Sequence, residues 1–378
     1  MTTATSKTLR GGTTLKYRVA DLKTAFNAVR DAVPLRPSRP VLANVLLGSD
    51  ATLSATDTEV RIIFPIAGGP AGGPSVLLPH ARMLQILNSC NPGAEVSLQI
   101  DGTTCRVACE GGKWVLPTSD PVEFPTAHDG IGRPISRLPA DQFVTMLGSV
   151  KFAVDAKAGR PSYSGVLLEF AAGQGDDDGR LSFVATDGRR LCCTSTEVSQ
   201  DLDNSKTLVP RRGIDVLTKL AAGREVVQLE TAGNELLANV DGVVVQVRLV
   251  GGESVNWRRV IPTRDVVPSR VGVATLLHAC RMAAVCVSES SRGVWFKFGD
   301  ASLRIAAKSA EHGESSATCE LSECGTECSV QIDPEFAIEW LSSLDSAAGV
   351  EIEVQDNESA VVLRCEDSFT VIMPLVKD

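Results

Sequence analysis

The chain has 378 residues, 43% of them hydrophobic and 22% charged, with a formal net charge of −9. That length exceeds one ordinary core, so two or three domains are expected, and no run of about 18 apolar residues offers a membrane span. An acidic overall field repels nucleic acid on average, so any role on DNA must rest on a local basic surface.

The opening stretch M-T-T-A-T-S-K-T-L-R-G-G lacks the apolar centre of a secretory signal, and residues 1–15 read as a flexible extension of a cytoplasmic protein. Leu22, Ala25, Phe26 and Val29 then recur at helical spacing. After R-P-S-R-P-V-L-A-N-V-L-L (36–47), a strand ends in L-S-A-T-D (53–57), and V-L-L-P-H-A-R-M-L-Q-I-L from Val76 carries a strand into a proline-marked helix start. Strands follow at 96–100, 104–109 and 113–116.

The same order returns twice. Phe143, Met146, Leu147 and Val150 mark a helix, F-V-A-T-D (183–187) repeats L-S-A-T-D, T-L-V-P-R-R-G-I-D-V-L from Thr207 repeats the strand-to-helix signal, and strands follow at 226–230, 235–240 and 243–249. A third pass reads Leu276, Leu277, Ala279 and Cys280, a weaker L-R-I-A-A-K (303–308), S-V-Q-I-D-P-E-F-A-I-E-W-L from Ser329, and strands at 350–354, 360–365 and 369–373. The chain is therefore expected to be three copies of one α+β unit, each built from two β-α-β-β-β halves. Pro, Gly and Asp collect near 126–133 and 262–267, which sets the domains at 16–128, 134–257 and 263–378.

Within the middle copy, F-V-A-T-D-G-R-R-L-C (183–192) is a strand, a tight turn and a second strand. Read locally, Asp187-Gly188 only supplies the positive φ of the turn; read functionally, Thr186, Gly188 and Arg190 stand beside a surface groove. The eleven cysteines sit in apolar strand patterns or as the pair Cys192-Cys193, which suits reduced, mostly buried thiols. Cys319, Cys324, Cys328 and His312 fit no zinc spacing, and the acidic run 176–178 reads as a hairpin tip. There is no G-x-S-x-G, Walker loop, G-x-G-x-x-G or H-E-x-x-H. The four histidines, His80, His128, His278 and His312, are scattered. No cofactor and no catalytic constellation is expected, although a nucleophilic Cys192 or Cys193 stands as one alternative.

A-T-D-G-R-R-L (185–191) resembles the Ala-Thr-Asp-Gly-His-Arg-Leu signature of the bacterial DNA polymerase III beta subunit, the sliding-clamp family, with Arg189 in place of His. R-P-S-R-P-V-L-A-N-V-L-L, W-R-R-V-I-P (257–262) and V-I-M-P-L (371–375) are similar to that family's other segments, in order, over nearly the whole chain. The resemblance implies three clamp domains per chain and a head-to-tail homodimer that closes a ring around double-stranded DNA. It also implies partners, the DNA polymerase catalytic subunit and the clamp loader among them, that insert a peptide into a pocket between the second and third domains. That pocket would comprise Tyr163, Thr186, Gly188, Arg190, Leu191, Val255, Val260, Val371 and Met373, with Val255 replacing a proline and Val376 standing where an arginine is usual.

For the DNA-facing lining, the candidates are Lys23, Arg30, Arg36, Arg39, Arg82, Lys151, Arg211, Arg212, Lys219 and Arg281. The acidic last helix (Glu335, Glu339, Asp345) either faces away from the bore or leaves its lining patchy. Ring closure would use Trp114 and Leu116 against Val285 and Cys286. A repeat-built adaptor that binds peptides without encircling DNA is the alternative function.

Overall fold

The computed structural model describes residues 13–127, 132–155, 160–173, 178–199, 203–252, 255–263, 266–288 and 292–375. Residues 1–12 of the expected extension, His128, Asp176 and Asp177 of the acidic run, and Val376, Lys377 and Asp378 lie outside the described residues.

Six α-helices occur among the described residues: α1 Val19–Ala28, α2 His80–Ser89, α3 Ala140–Gly148, α4 Arg211–Ala221, α5 Val273–Ala284 and α6 Pro334–Leu341. Each turns the apolar stripe read from the sequence inward: Leu22, Ala25 and Phe26 are buried in α1, Phe143, Met146 and Leu147 in α3, and Phe336, Trp340 and Leu341 in α6. The start of α6 is fixed by Pro334 in its first turn and by the Asp333 side chain, which accepts from the Glu335 N–H.

Two compact units form. One holds the residues up to Arg133 together with Lys219–Arg248; the other holds Pro134–Thr218 and the residues from Leu249 onward. In the first unit, Thr13–Arg18, Glu95–Asp101, Thr104–Cys109 and Gly112–Pro117 lie side by side in a four-stranded antiparallel sheet. A larger sheet runs Val76–Pro79, Asn44–Leu47, Thr52–Thr56, Val60–Pro65, Val243–Arg248, Glu235–Val240, Val226–Ala232, and α1 packs on α2.

The second unit repeats this plan. Its eight-stranded sheet runs Ser205–Pro210, Gly165–Ala171, Gly179–Thr186, Arg190–Val198, Ser368–Ile372, Val361–Cys365, Gly349–Glu353, Ser269–Gly272. Its four-stranded sheet runs Gly313–Glu320, Ser302–Ser309, Val294–Gly299, Ser329–Ile332, and α5 packs on α6. Trp340, Phe143, Phe170, Phe183 and Phe296 are wholly enclosed.

Both large sheets join strands that belong to successive repeats of the sequence. Val243–Arg248, from the end of the middle copy, pairs with Val60–Pro65 of the first, setting Gln246 opposite Arg61. Ser368–Ile372, from the end of the third, pairs with Arg190–Val198 of the middle one, setting Val371 opposite Leu191. The apolar strands 243–249 and 369–373 thus satisfy an edge that the preceding repeat would otherwise leave open.

Candidate functional site

The turn after Gly179–Thr186 is organised by its own side chains. Asp187 Oδ1 accepts from the N–H groups of Arg189 (2.9 Å) and Arg190 (3.0 Å), and Thr186 Oγ1 accepts from the Gly188 N–H while donating to the Arg190 carbonyl at 2.6 Å. Gly188 takes φ 86°, and a Cβ there would lie 3.1 Å from Tyr163 Cε2, so both backbone and neighbour ask for glycine. Gly188 thus lets the chain turn and leaves room for Tyr163 close beside it.

Arg190 leaves this turn buried rather than lining a groove. Its Nε donates to Asp187 (3.1 Å), its Nη1 to Glu339 on α6, and its Nη2 to the Phe152 carbonyl (2.7 Å), while the guanidinium lies 4.5 Å from the Phe336 ring centre. One carboxylate of the acidic last helix is thereby committed to the middle repeat. Asp345 caps its own loop by accepting from the Ala347 N–H.

Beside the turn opens an apolar cleft lined by Ser162, Gly165, Leu167, Val184, Ala185, Thr186, Leu208, Val255 and Trp257. Leu191 and Val371 lie beneath it in one buried cluster with Leu167, Val184, Leu208, Trp257 and Val362. Tyr163 and Gly188 line an adjoining polar hollow with Asp155, Arg160, Asp187 and Arg189. Met373 and Val260 are exposed apolar residues nearby in the chain, and the Met373 N–H bonds to the Arg189 carbonyl at 2.9 Å. Of the predicted pocket, Thr186 and Val255 form the walls, Leu191 and Val371 the floor, Tyr163 and Gly188 the polar end.

Leu167, Val184, Leu208 and Trp257 were not singled out for this role from the sequence. For Leu167 and Val184 the signal is strand alternation, which sets the two opposite each other on one face of Gly165–Ala171 and Gly179–Thr186; Leu208 and Trp257 lie outside those strands. Trp257 is held by its indole N–H, which donates to Glu169 Oε2 at 2.6 Å, while Arg258 donates to Oε1 at 2.7 Å and Lys206 stands 3.4 Å away. Burial pushes the Glu169 carboxyl up, but Trp257, Arg258 and Lys206 together outweigh it and hold the group below its usual range.

The basic candidates are spread over helices and loops. Arg30, Arg36, Arg39 and Arg82 are exposed, as are Arg211 and Arg212 at the start of α4 and Arg281 on α5, whereas Lys23 and Lys151 are half-buried. Lys219 pairs with Asp31 at 2.6 Å, and Arg281 bonds to Ser342 Oγ at 3.1 Å.

Among the closure candidates, Trp114 is half-buried and Val285 75% exposed, with Cys286 half-buried beside it. Leu116 departs from the expectation. It is only 7% exposed because it faces the same side as Cys105, its partner in the ladder, and is covered by its own chain. Val115, on the opposite face of that edge strand, is 60% exposed and offers the surface that Leu116 does not.

The cysteines are free thiols. Cys192 and Cys193 are buried and burial pushes each up to about 12, which removes the thiolate that a nucleophile requires. Among the described residues no group of three or more His, Cys, Asp or Glu is arranged to hold a metal ion.

The family model for the DNA polymerase III beta subunit N-terminal domain matches residues 15–128, that for the central domain 137–254, and that for the C-terminal domain 258–376. The beta sliding clamps of Salmonella typhimurium and Escherichia coli K12 are each 26% identical over 355 residues, covering 90% of this chain and 93% of theirs. The solved DNA polymerase III subunit beta of Pseudomonas aeruginosa superposes with a TM-score of 0.87 at 22% identity, covering 97% of this chain and 100% of that one. The Bacillus subtilis sliding clamp does so with a TM-score of 0.87 at 17% identity and the same coverage.

Proposed function

The chain belongs to the DNA polymerase III beta subunit family, and from that membership we propose how it acts. It is a DNA sliding clamp serving the replicative polymerase. The observation that carries this is the order of three family domains along the chain, at residues 15–128, 137–254 and 258–376. The adaptor reading is not favoured.

Two chains meet head to tail, and six similar domains close around duplex DNA. Two strands at the ends of four-stranded sheets, Gly112–Pro117 and Gly313–Glu320, present main-chain edges on the first and third repeats. Trp114, Val115 and Val285 supply apolar cover for the joint. Lys23, Arg30, Arg36, Arg39, Arg82, Lys151, Arg211, Arg212, Lys219 and Arg281 make weak, sequence-independent contacts to phosphate, so the ring slides.

The polymerase catalytic subunit and the clamp loader each place a peptide across the cleft. A large apolar side chain enters between Leu167, Leu208 and Trp257, and the neighbouring residue meets the polar end at Tyr163 and Arg189. Met373 can repack around different partners. The protein catalyses nothing itself and works in the cytoplasm; no helix among the described residues is long and apolar enough to cross a membrane.

Topology gives the test. Loaded on circular duplex, the protein should resist moderate salt and leave when the circle is cut. Equal retention on circular and linear DNA would overturn the reading.

A further inference from the structure

Leu35 is the most exposed large apolar side chain among the described residues, as open to water as in an extended peptide (102%). It sits in the segment V-P-L-R-P-S-R-P (33–40), which joins two short 3-10 turns, Arg30–Ala32 and Pro40–Ala43. The Val33 N–H closes the first turn on the Arg30 carbonyl, and the Leu42 N–H closes the second on the Arg39 carbonyl, both at 3.1 Å. Val29, Ala32, Val41 and Leu42 are buried, so both feet of the loop stand in the core. Proline recurs at 34, 37 and 40, and each ring fixes φ, which limits how far the tip can fold back to cover Leu35.

The chemistry around this leucine is cationic. Arg30, Arg36 and Arg39 are all exposed, and neither Arg36 nor Arg39 pairs with a carboxylate among the described residues. Asp31, the acid beside Arg30, is neutralised by Lys219 at 2.6 Å. A single exposed leucine is ordinary on a protein surface. One held on a stiff loop among arginines suits a partner on which anionic and apolar groups alternate at short range. A DNA strand is such a surface, since successive phosphates are separated by a deoxyribose with an apolar C–H face. An acidic protein surface has no such regular apolar interval.

We propose that Leu35 is a DNA-contact residue: it lies against the deoxyribose between two phosphates while Arg36 and Arg39 hold the phosphates. The contact removes apolar surface from water without releasing counterions, so it adds affinity that salt does not erode. Every nucleotide of the duplex carries the same sugar, so the contact has no sequence preference and does not fix the protein at one position. This rests on reading Arg36 and Arg39 as DNA-facing, and the leucine and arginine variants test the two separately.

The full-length protein is titrated with a short fluorescein-labelled duplex across a series of low salt concentrations. Leu35→Ser should keep the parent's thermal midpoint, lower duplex affinity about fivefold, and leave the slope of log affinity against log salt unchanged. Arg36→Gln should lower affinity and reduce that slope by about one. Inorganic polyphosphate, which offers phosphates and no sugar, should bind Arg36→Gln more weakly and Leu35→Ser as well as the parent. AT-rich and GC-rich duplexes should show the same loss in Leu35→Ser. Parent-like duplex affinity in Leu35→Ser overturns the proposal, as does an equal loss on polyphosphate or a loss that depends on base composition. A lowered thermal midpoint in Leu35→Ser also overturns it, because the side chain would then serve packing. Unchanged affinity and slope in Arg36→Gln would instead remove the DNA-facing reading of the loop, and the proposal with it.

Discussion

Arg190 of the middle repeat and Glu339 of the third are joined by an ion pair through the Arg190 Nη1. The same guanidinium holds Asp187 and the Phe152 carbonyl, so one side chain ties the turn, the cleft and α6 together. Arg190→Leu should lower stability by about 3 kcal/mol, since it leaves the largely buried Asp187 carboxylate without its charged partner. Arg190→Lys should recover little, because a point charge cannot serve three directions at once. Glu339→Gln should do less harm, as that carboxylate is half exposed. Urea-unfolding midpoints of the three variants give the order; equal midpoints for Arg190→Leu and the parent would refute it.

Thr58 and Gly188 occupy the same position in the turns that follow L-S-A-T-D (53–57) and F-V-A-T-D (183–187), with φ 80° and 86°. A β-branched residue is strained there. Thr58→Gly should therefore raise stability by about 0.5 to 1 kcal/mol despite the freedom it gives the unfolded chain. Gly188→Ala should do the reverse and also push Tyr163 out of the polar hollow. Thermal midpoints, with peptide affinity for the second variant, check both; a destabilised Thr58→Gly would show that the threonine side chain has a use the turn geometry does not reveal.

Acid should weaken the wall of the cleft. Because Glu169 titrates below its usual range when folded, its contribution is complete above the unfolded carboxylate value of about 4.3 and fades as pH falls through the lower folded value. The difference in thermal midpoint between the parent and Glu169→Gln should be constant from neutral pH to about 5 and shrink below about 4. A difference that grows on acidification would mean the carboxyl is protonated in the native state.

Val115 and Leu116 should separate assembly from folding. Val115→Asp places a charge on an exposed face and should yield a folded monomer by sedimentation, since an unpaired charge at a closed joint has no compensation. Leu116→Asp buries the charge inside its own chain and should lower stability before it affects association. A dimeric, stable Val115→Asp would remove this strand from the closing contact.

The helices and the turn could be read directly from the sequence because their signals are local: a 3.6-residue apolar period for α1, α3 and α6, and Thr-Asp-Gly at 186–188. The assembly of the cleft was not legible, because Leu191 meets Val371, and Glu169 meets Trp257, across distances in sequence that periodicity cannot see. Resemblance names Thr186, Leu191 and Val371 for the proposed pocket and does not name Leu167 and Leu208, whose strand patterns mark them only as facing a core. It also favoured Leu116 over Val115, although one step along a strand exchanges inside for outside. Arg61 gave no sign of its role: its hydrogen bonds to the Pro125 and Thr126 carbonyls follow from the fold.

The pairing of Val60–Pro65 with Val243–Arg248 has a consequence for synthesis on the ribosome. The first repeat emerges with an apolar strand, Val-Arg-Ile-Ile-Phe-Pro, whose outer hydrogen-bonding edge stays open until the end of the second repeat has been translated. The second waits in the same way, with Arg190–Val198, for Ser368–Ile372. Nascent chains stalled between these points would therefore be the sticky species, and a chaperone that shields strand edges would matter most during the translation of residues 66–242 and 199–367.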